Sequence, residues 1–162
     1  RMCETNLARP IVNKEYLELT RIVERLHRRF LDVLRAELNR LGVRNVNAVQ
    51  ALLLTNIGSE EIAIRDLIER GYYLGSNVSY NIKKLVEYGL LEQNRSPHDR
   101  RSVHVRLTPR ALDLVERFKE LEERQVATLA NNDVAAGDIK GILNSLKRVE
   151  RTWADYVHFG IA

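Results

Sequence analysis

A chain of 162 residues, 44% hydrophobic and 30% charged, has the size of one domain with extensions and can bury a sizeable core. It holds no apolar run of about 18 residues, so no transmembrane helix is expected, and "RMCETNLARP" lacks the basic, apolar and small-residue order of a secretory leader. Cys3 is the single cysteine, which excludes an internal disulfide and a multi-cysteine metal site and fits a reducing cytoplasm; the net charge of +4 gains meaning only once it is located.

In chain order, residues 14–41 place Leu19, Ile22, Val23, Leu26, Phe30, Val33, Leu34, Leu38 and Leu41 at helical spacing. Asn13 is expected to cap this helix and Gly42 to end it. Such a helix is about 40 Å long. It outreaches its own core and is expected to meet a second subunit. "VNAVQALLLTNIG" reads as a short buried helix closed by Gly58. A brief extended piece at Ile62–Ala63 and a stubby helix from Ile64 to Arg70 follow, ended by Gly71.

Gly75 and Ser76 then open a further helix, with Ser76 as its expected cap, running to Tyr88 and stopped by Gly89. Two short helices across a glycine-containing turn make a helix-turn-helix pattern. "LLEQNR" and "SVHVRLT" flank the turn signal "SPHD" and read as a β-hairpin. Thr108-Pro109 starts the next helix, the hydroxyl capping and the proline filling the first turn. Leu112, Val115, Phe118, Leu121, Val126 and Leu129 continue it. "NND" interrupts, with Asp133 expected to cap a last helix that carries Ile139, Ile142, Leu143, Leu146, Val149, Trp153 and Val157.

The charge is concentrated in the middle of this series. Residues 71–110 hold seven Lys/Arg against three acids, which leaves nineteen basic and nineteen acidic residues elsewhere. All the excess positive charge therefore sits in about a quarter of the chain, which points to a polyanion docking there. On a helical wheel Val78, Ile82 and Leu85 form one side, flanked by Val86. Ser76, Asn77, Tyr80, Lys83, Lys84 and Glu87 form the other. Short polar groups and a tyrosine near the helix start suit base edges, and lysines further on suit phosphates. A solvated helix face would also be polar. The neighbouring helix and the basic hairpin tip favour duplex DNA. At that tip, His98, Asp99, Arg100 and Arg101 form a loop narrow enough for a minor groove, where arginine is drawn by the negative potential. Asp99 is expected to brace the turn, accepting from a guanidinium or from turn amides.

The long helix, the helix-turn-helix, the wing "DRRSVHVRLT" and the closing helices resemble the MarR family of winged helix-turn-helix regulators over essentially the whole chain. The wing motif is carried by Asp99, Arg101, Ser102, Leu107 and Thr108. "RGYYLGSNVSYN" further resembles the LdtR-type branch, associated with envelope remodelling and osmotic stress. The resemblance implies a fold that is mainly α with a small β-hairpin wing, in a single domain over 1–162. A winged helix-turn-helix lobe at 46–108 would lie between dimerisation helices at 11–45 and 109–162. It implies a homodimer on a pseudo-palindromic operator, a repressor more than an activator, and a small aromatic or phenolic effector. Two features depart from the family: Lys83-Lys84 replaces the usual Asp-Arg pair, and Ala111 replaces a common glycine.

No cofactor, metal or catalytic group is expected. His27, His98, His104 and His158 lack metal-ligand spacing, and no triad, phosphate loop or placed carboxylate pair marks an enzyme. Peroxide-sensing members of the family use an N-terminal-region cysteine. Cys3 sits in tail-like sequence before Pro10, and a sensor role is not expected of it. Tyr16, Arg28 and Trp153 have chemistry suited to an effector but read as packing residues. The competing interpretation is a winged-helix module that binds only protein.

Overall fold

The computed structural model describes residues 10, 12–71, 75–99 and 101–160. Helices α1 (Asn13–Arg40) and α2 (Ala48–Ile57) are followed by strand β1 (Ile62–Ala63) and helices α3 (Ile64–Gly71) and α4 (Gly75–Glu87). Strands β2 (Leu91–Arg95) and β3 (Val103–Leu107) come next, then α5 (Pro109–Asn131) and α6 (Ala136–Phe159). The chain forms two compact units, residues 1–118 and 119–162.

The first unit is built around α2. Almost every face of that helix is apolar, and Ala51, Leu53, Leu54 and Ile57 are buried in it. The C-terminal half of α1 packs on it through Leu34 and Leu38. The apolar side of α4 adds Val78, Ile82 and Leu85, and the first turns of α5 add Ala111, Leu114, Val115 and Phe118. Each fully buried aliphatic side chain contributes about 1.5–3 kcal/mol, so this interior is a sufficient core for its unit.

The expected two-stranded hairpin is an antiparallel three-stranded sheet, ordered β1-β3-β2. Leu91 pairs with Leu107 and Gln93 with Val105 across the hairpin, while Ile62 pairs with Val105 on the other edge of β3. Val105 and Leu107 face the core, and Arg106 points out, where its Nε donates to Glu92 Oε2 at 2.7 Å. The two-residue β1 thus fixes the root of the hairpin to the start of α3.

Three expected caps differ. Asn13 is the first residue of α1, after Val12 in extended geometry with no side-chain cap. Asp133 does not cap the last helix. It takes φ +63°, a left-handed conformation that aspartate tolerates, just past the end of α5. The α6 start is held instead by Asp138, whose Oδ2 accepts from the Ala135 amide at 3.1 Å. Ser76 lies inside α4, which begins at Gly75; the preceding position, 74, where a cap would sit, is outside the described residues, as is Cys3.

The second unit comprises the rest of α5 and all of α6. Among its described residues only Leu121 is buried. Ile139, Ile142, Leu143 and Trp153 form an apolar stripe that stays exposed, and Tyr156 and Val157 extend it.

Candidate nucleic-acid interface

Helix α4 presents two sides, as its wheel requires. Val78, Ile82 and Leu85 are sealed in the core, Val86 is half-buried, and Asn77, Tyr80 and Lys83 are exposed. Tyr80 is 61% exposed, unusual for a tyrosine with a hydrophobic interior one turn away. A large ring that stands in solvent is available to a partner. The helix backbone includes Ser76; its side chain falls outside the described residues.

The two lysines are not equivalent. No described carboxylate lies within ion-pair distance of Lys83. Lys84 is half-buried; its Nζ lies 3.4 Å from Glu87 Oε2 and 5.8 Å from the centre of the Tyr80 ring. The Glu87 charge and its hydrogen bond hold the Lys84 ammonium above the ordinary lysine pKa, with Tyr80 adding to the effect. Lys84 thus joins Glu87 to Tyr80 along one face, and Lys83 is left as the uncommitted cation.

At the wing tip, Asp99 Oδ1 accepts from the Arg101 amide at 2.9 Å, and Asp99 O accepts from the Ser102 amide at 3.0 Å. Ser96 closes the hairpin by donating to Ser102 O at 3.0 Å, and the His98 amide donates to Ser96 Oγ at 3.3 Å. The aspartate is therefore a turn brace through backbone amides. His98, Asp99 and Arg101 are all exposed, and no described carboxylate is within ion-pair distance of the Arg101 guanidinium. Arg100 lies outside the described residues. An open cleft of about 740 Å³ joins the wing to the helices, with Ser79 of α4, Arg65 and Ile68 of α3, and Asp99, Arg101 and Val103 among its lining. Helix α4 and the wing tip therefore border one concavity.

The Thr108 cap on α5 was expected from the sequence, but the links that tie the end and inner side of α4 to its neighbours gave no sequence signal. Thr108 Oγ1 donates to Gly89 O at 2.7 Å and accepts from the Ala111 amide at 3.3 Å, so one hydroxyl ends α4 and caps α5. Arg110 Nη1 donates to Tyr88 O at 3.4 Å, reaching the same helix end. Gly89 has φ +72°, which a side chain would strain. Gln50 and Asn81 also connect α2 to α4. Of the residues with effector-like chemistry, Tyr16 and Arg28 are on α1 in the first unit, with Arg28 bonded to Glu24, and Trp153 is on α6 in the second. Among the described residues no three His, Cys, Asp or Glu are grouped to hold a metal, and no helix is long and apolar enough to cross a membrane.

Residues 46–111, which span α2 to the start of α5, match the winged helix DNA-binding domain family. The exopolysaccharide II synthesis transcriptional activator ExpG of Rhizobium meliloti is 34% identical over 146 residues, covering 90% of this chain and 75% of that protein. The chain belongs to the MarR family of winged helix-turn-helix transcriptional regulators.

The MarR fold extends beyond the matched lobe. A mutant MarR from E. coli, solved with operator DNA, superposes with a TM-score of 0.68 at 20% identity, covering 86% of this chain and 99% of that one. FabT of Streptococcus pneumoniae, solved with DNA, gives 0.71 at 16% identity, with 86% and 98% covered. The family and fold are those of DNA-binding transcription regulators, not of enzymes. In MarR terms, α3 and α4 are the helix-turn-helix of this chain and β2–β3 its wing.

Proposed function

We propose that the protein is a sequence-specific, double-stranded DNA-binding transcriptional regulator that acts as a cytoplasmic homodimer on a pseudo-palindromic operator. The observation that carries this reading is the outward side of α4, where Asn77, Tyr80 and Lys83 are exposed beside a braced wing bearing an exposed Arg101. Asn77 and Tyr80, with Ser76, read base edges in the major groove. Lys83 and Lys84 lie along phosphates. His98, Asp99, Arg100 and Arg101 form the wing that enters the flanking minor groove.

The dimer is supported by uncovered hydrocarbon. Leu17, Ile22, Leu26 and Phe30 on α1 and the α6 stripe are exposed in the single chain. Half-covering each contributes about 1 kcal/mol, and a second copy supplies matching surfaces by symmetry. The dimerisation helices are accordingly 11–45 and 109–162, around a DNA-binding lobe at 46–108.

Repression follows when the operator overlaps the polymerase site. Activation, the role named for the R. meliloti relative, follows when it lies upstream. We favour repression with release by a small aromatic or phenolic acid. Arg65 and Arg101 at the cleft rim would hold its carboxylate, and such a ligand would withdraw Arg101 from DNA.

The test is enrichment of duplexes from a random pool, followed by gel retardation at moderate salt. A sequence-specific dimer enriches a motif with two related halves. A winged-helix module that binds only protein enriches none and retards no DNA.

A further inference from the structure

Among the described residues Gln50 and Glu37 are the buried polar side chains, and Gln50 is only 5% exposed. Both ends of its amide are used. Oε1 accepts from the Asn47 amide at 3.1 Å while Asn47 Oδ1 accepts from the Gln50 amide at 2.8 Å, a reciprocal cap on α2. Nε2 donates to Asn81 Oδ1 at 3.2 Å, thirty-one positions along, on α4. A cap alone needs only the first half of this. An exposed glutamine would serve, with its amide nitrogen in water.

Asn81 sits where the two sides of α4 meet. It is half-buried, next to the core side and one residue from Tyr80. Contacts of Val78, Ile82 and Leu85 hold α4 against the core but are not directional, and apolar interiors lose uniqueness of arrangement before they lose stability. A hydrogen bond is directional and tolerates only a few tenths of an ångström. A rotation of α4 by roughly 20° would move a side-chain tip about 6 Å from its axis by roughly 2 Å. Such a shift would break this bond and displace every base-reading group.

We propose that Gln50 is a positioning residue that sets the rotation of the recognition helix about its axis through Asn81, and so determines which bases Asn77 and Tyr80 meet. This rests on α4 being the DNA-reading helix. It assigns part of the sequence specificity to a buried residue of α2 that touches no DNA.

The full-length protein and its variants are compared on the duplex enriched by the wild type and on a scrambled duplex. Gln50→Met and Asn81→Leu should each lower the ratio of the two affinities about tenfold, with scrambled-DNA affinity held within about twofold. The double variant should lose no more than either single one, because both remove the same link. Gln50→Glu should restore most of the ratio, since its carboxylate accepts from the Asn47 amide and from a turned Asn81 amide. If Gln50→Met does not fold, Asn81→Leu decides, because it leaves the α2 cap intact. An unchanged ratio in folded single variants, or losses that multiply to about a hundredfold in the double variant, overturns the proposal while leaving the DNA-reading function standing. Failure of the wild type to enrich any motif overturns both.

Discussion

Leu54 and Ile142 carry the same hydrocarbon, yet Leu54 is fully buried and Ile142 is 55% exposed. Leu54 belongs to a unit whose helices and sheet converge on α2. Ile142 lies on a 24-residue helix with no buried residue. The contrast separates two uses of periodicity. In the first unit, apolar positions on α2, α4, β3 and α5 are buried together around α2. In the second, an equally regular stripe finds no cover in its own unit, and this is the surface that the proposed dimer would bury. Helix α1 shows both uses in one element: Leu34 and Leu38 are sealed, and Leu17, Leu26 and Phe30 are bare.

Removing the chain from Asp133 onward should have the largest effect. It strips Ile139, Ile142, Leu146 and Trp153 while leaving the helix-turn-helix and wing whole. Affinity for the enriched operator should fall on the order of 10³-fold, toward non-specific levels, with sedimentation showing monomer. A truncation that stays dimeric with native affinity would break the contrast between the two units.

Point variants sharpen it. Leu54→Ala should cost about 2–5 kcal/mol of stability, independent of protein concentration. Ile142→Asp should leave the lobe folded but weaken the subunit contact, so that DNA affinity and melting temperature fall most at low protein concentration, as mass action requires. Thermal melts at several concentrations check both. Equal, concentration-independent losses would show that Ile142 serves its own chain.

Much of this organisation was legible in the residues themselves. The bounds of α3, α4 and α5 follow from Gly71, Gly89 and Thr108-Pro109, and the two sides of α4 follow from its wheel. The pairing of β1 with β3 was not legible, because two residues carry no periodicity and the strand exists only through its long-range partner. The α6 start was misassigned to Asp133 because a polar "NND" looks like a cap whether it begins one helix or ends another. For the candidate site, the outward side of α4 and the Asp99 turn brace were legible, and the long-range supports of α4 were not. The Gln50–Asn81 bond, the Thr108 hydroxyl on Gly89 O and the Arg110 contact to Tyr88 O all join positions nineteen or more residues apart. The unequal roles of Lys83 and Lys84 depend on the Lys84 rotamer, which no wheel shows.

Within the DNA-binding lobe the effects are smaller. Tyr80→Ala should cost about 1–3 kcal/mol on the enriched site and less on scrambled DNA. Equal losses on both would reassign the ring to the backbone. Lys83→Ala should weaken both DNAs alike and lower the magnitude of the log–log salt slope by roughly 0.9. Lys84→Ala, with its ammonium already shared with Glu87 and Tyr80, should change the slope less and the base preference more. Because the Glu87 charge and hydrogen bond hold the Lys84 ammonium above the ordinary lysine pKa, the side chain stays charged through neutral and mildly alkaline pH and loses its proton only as pH rises through that raised folded-state pKa. DNA binding should therefore show no step from this residue between pH 6 and 9, and a titration across that window checks it.

Hydroxyl-radical footprinting of the wild-type protein on its enriched operator tests the paired arrangement most directly. Two recognition helices set by one dimer should protect two patches on the same face of the duplex, about 34–36 Å or one turn apart. Weaker protection by the wings should flank each patch. A single protected patch at saturating, sequence-specific binding would contradict it.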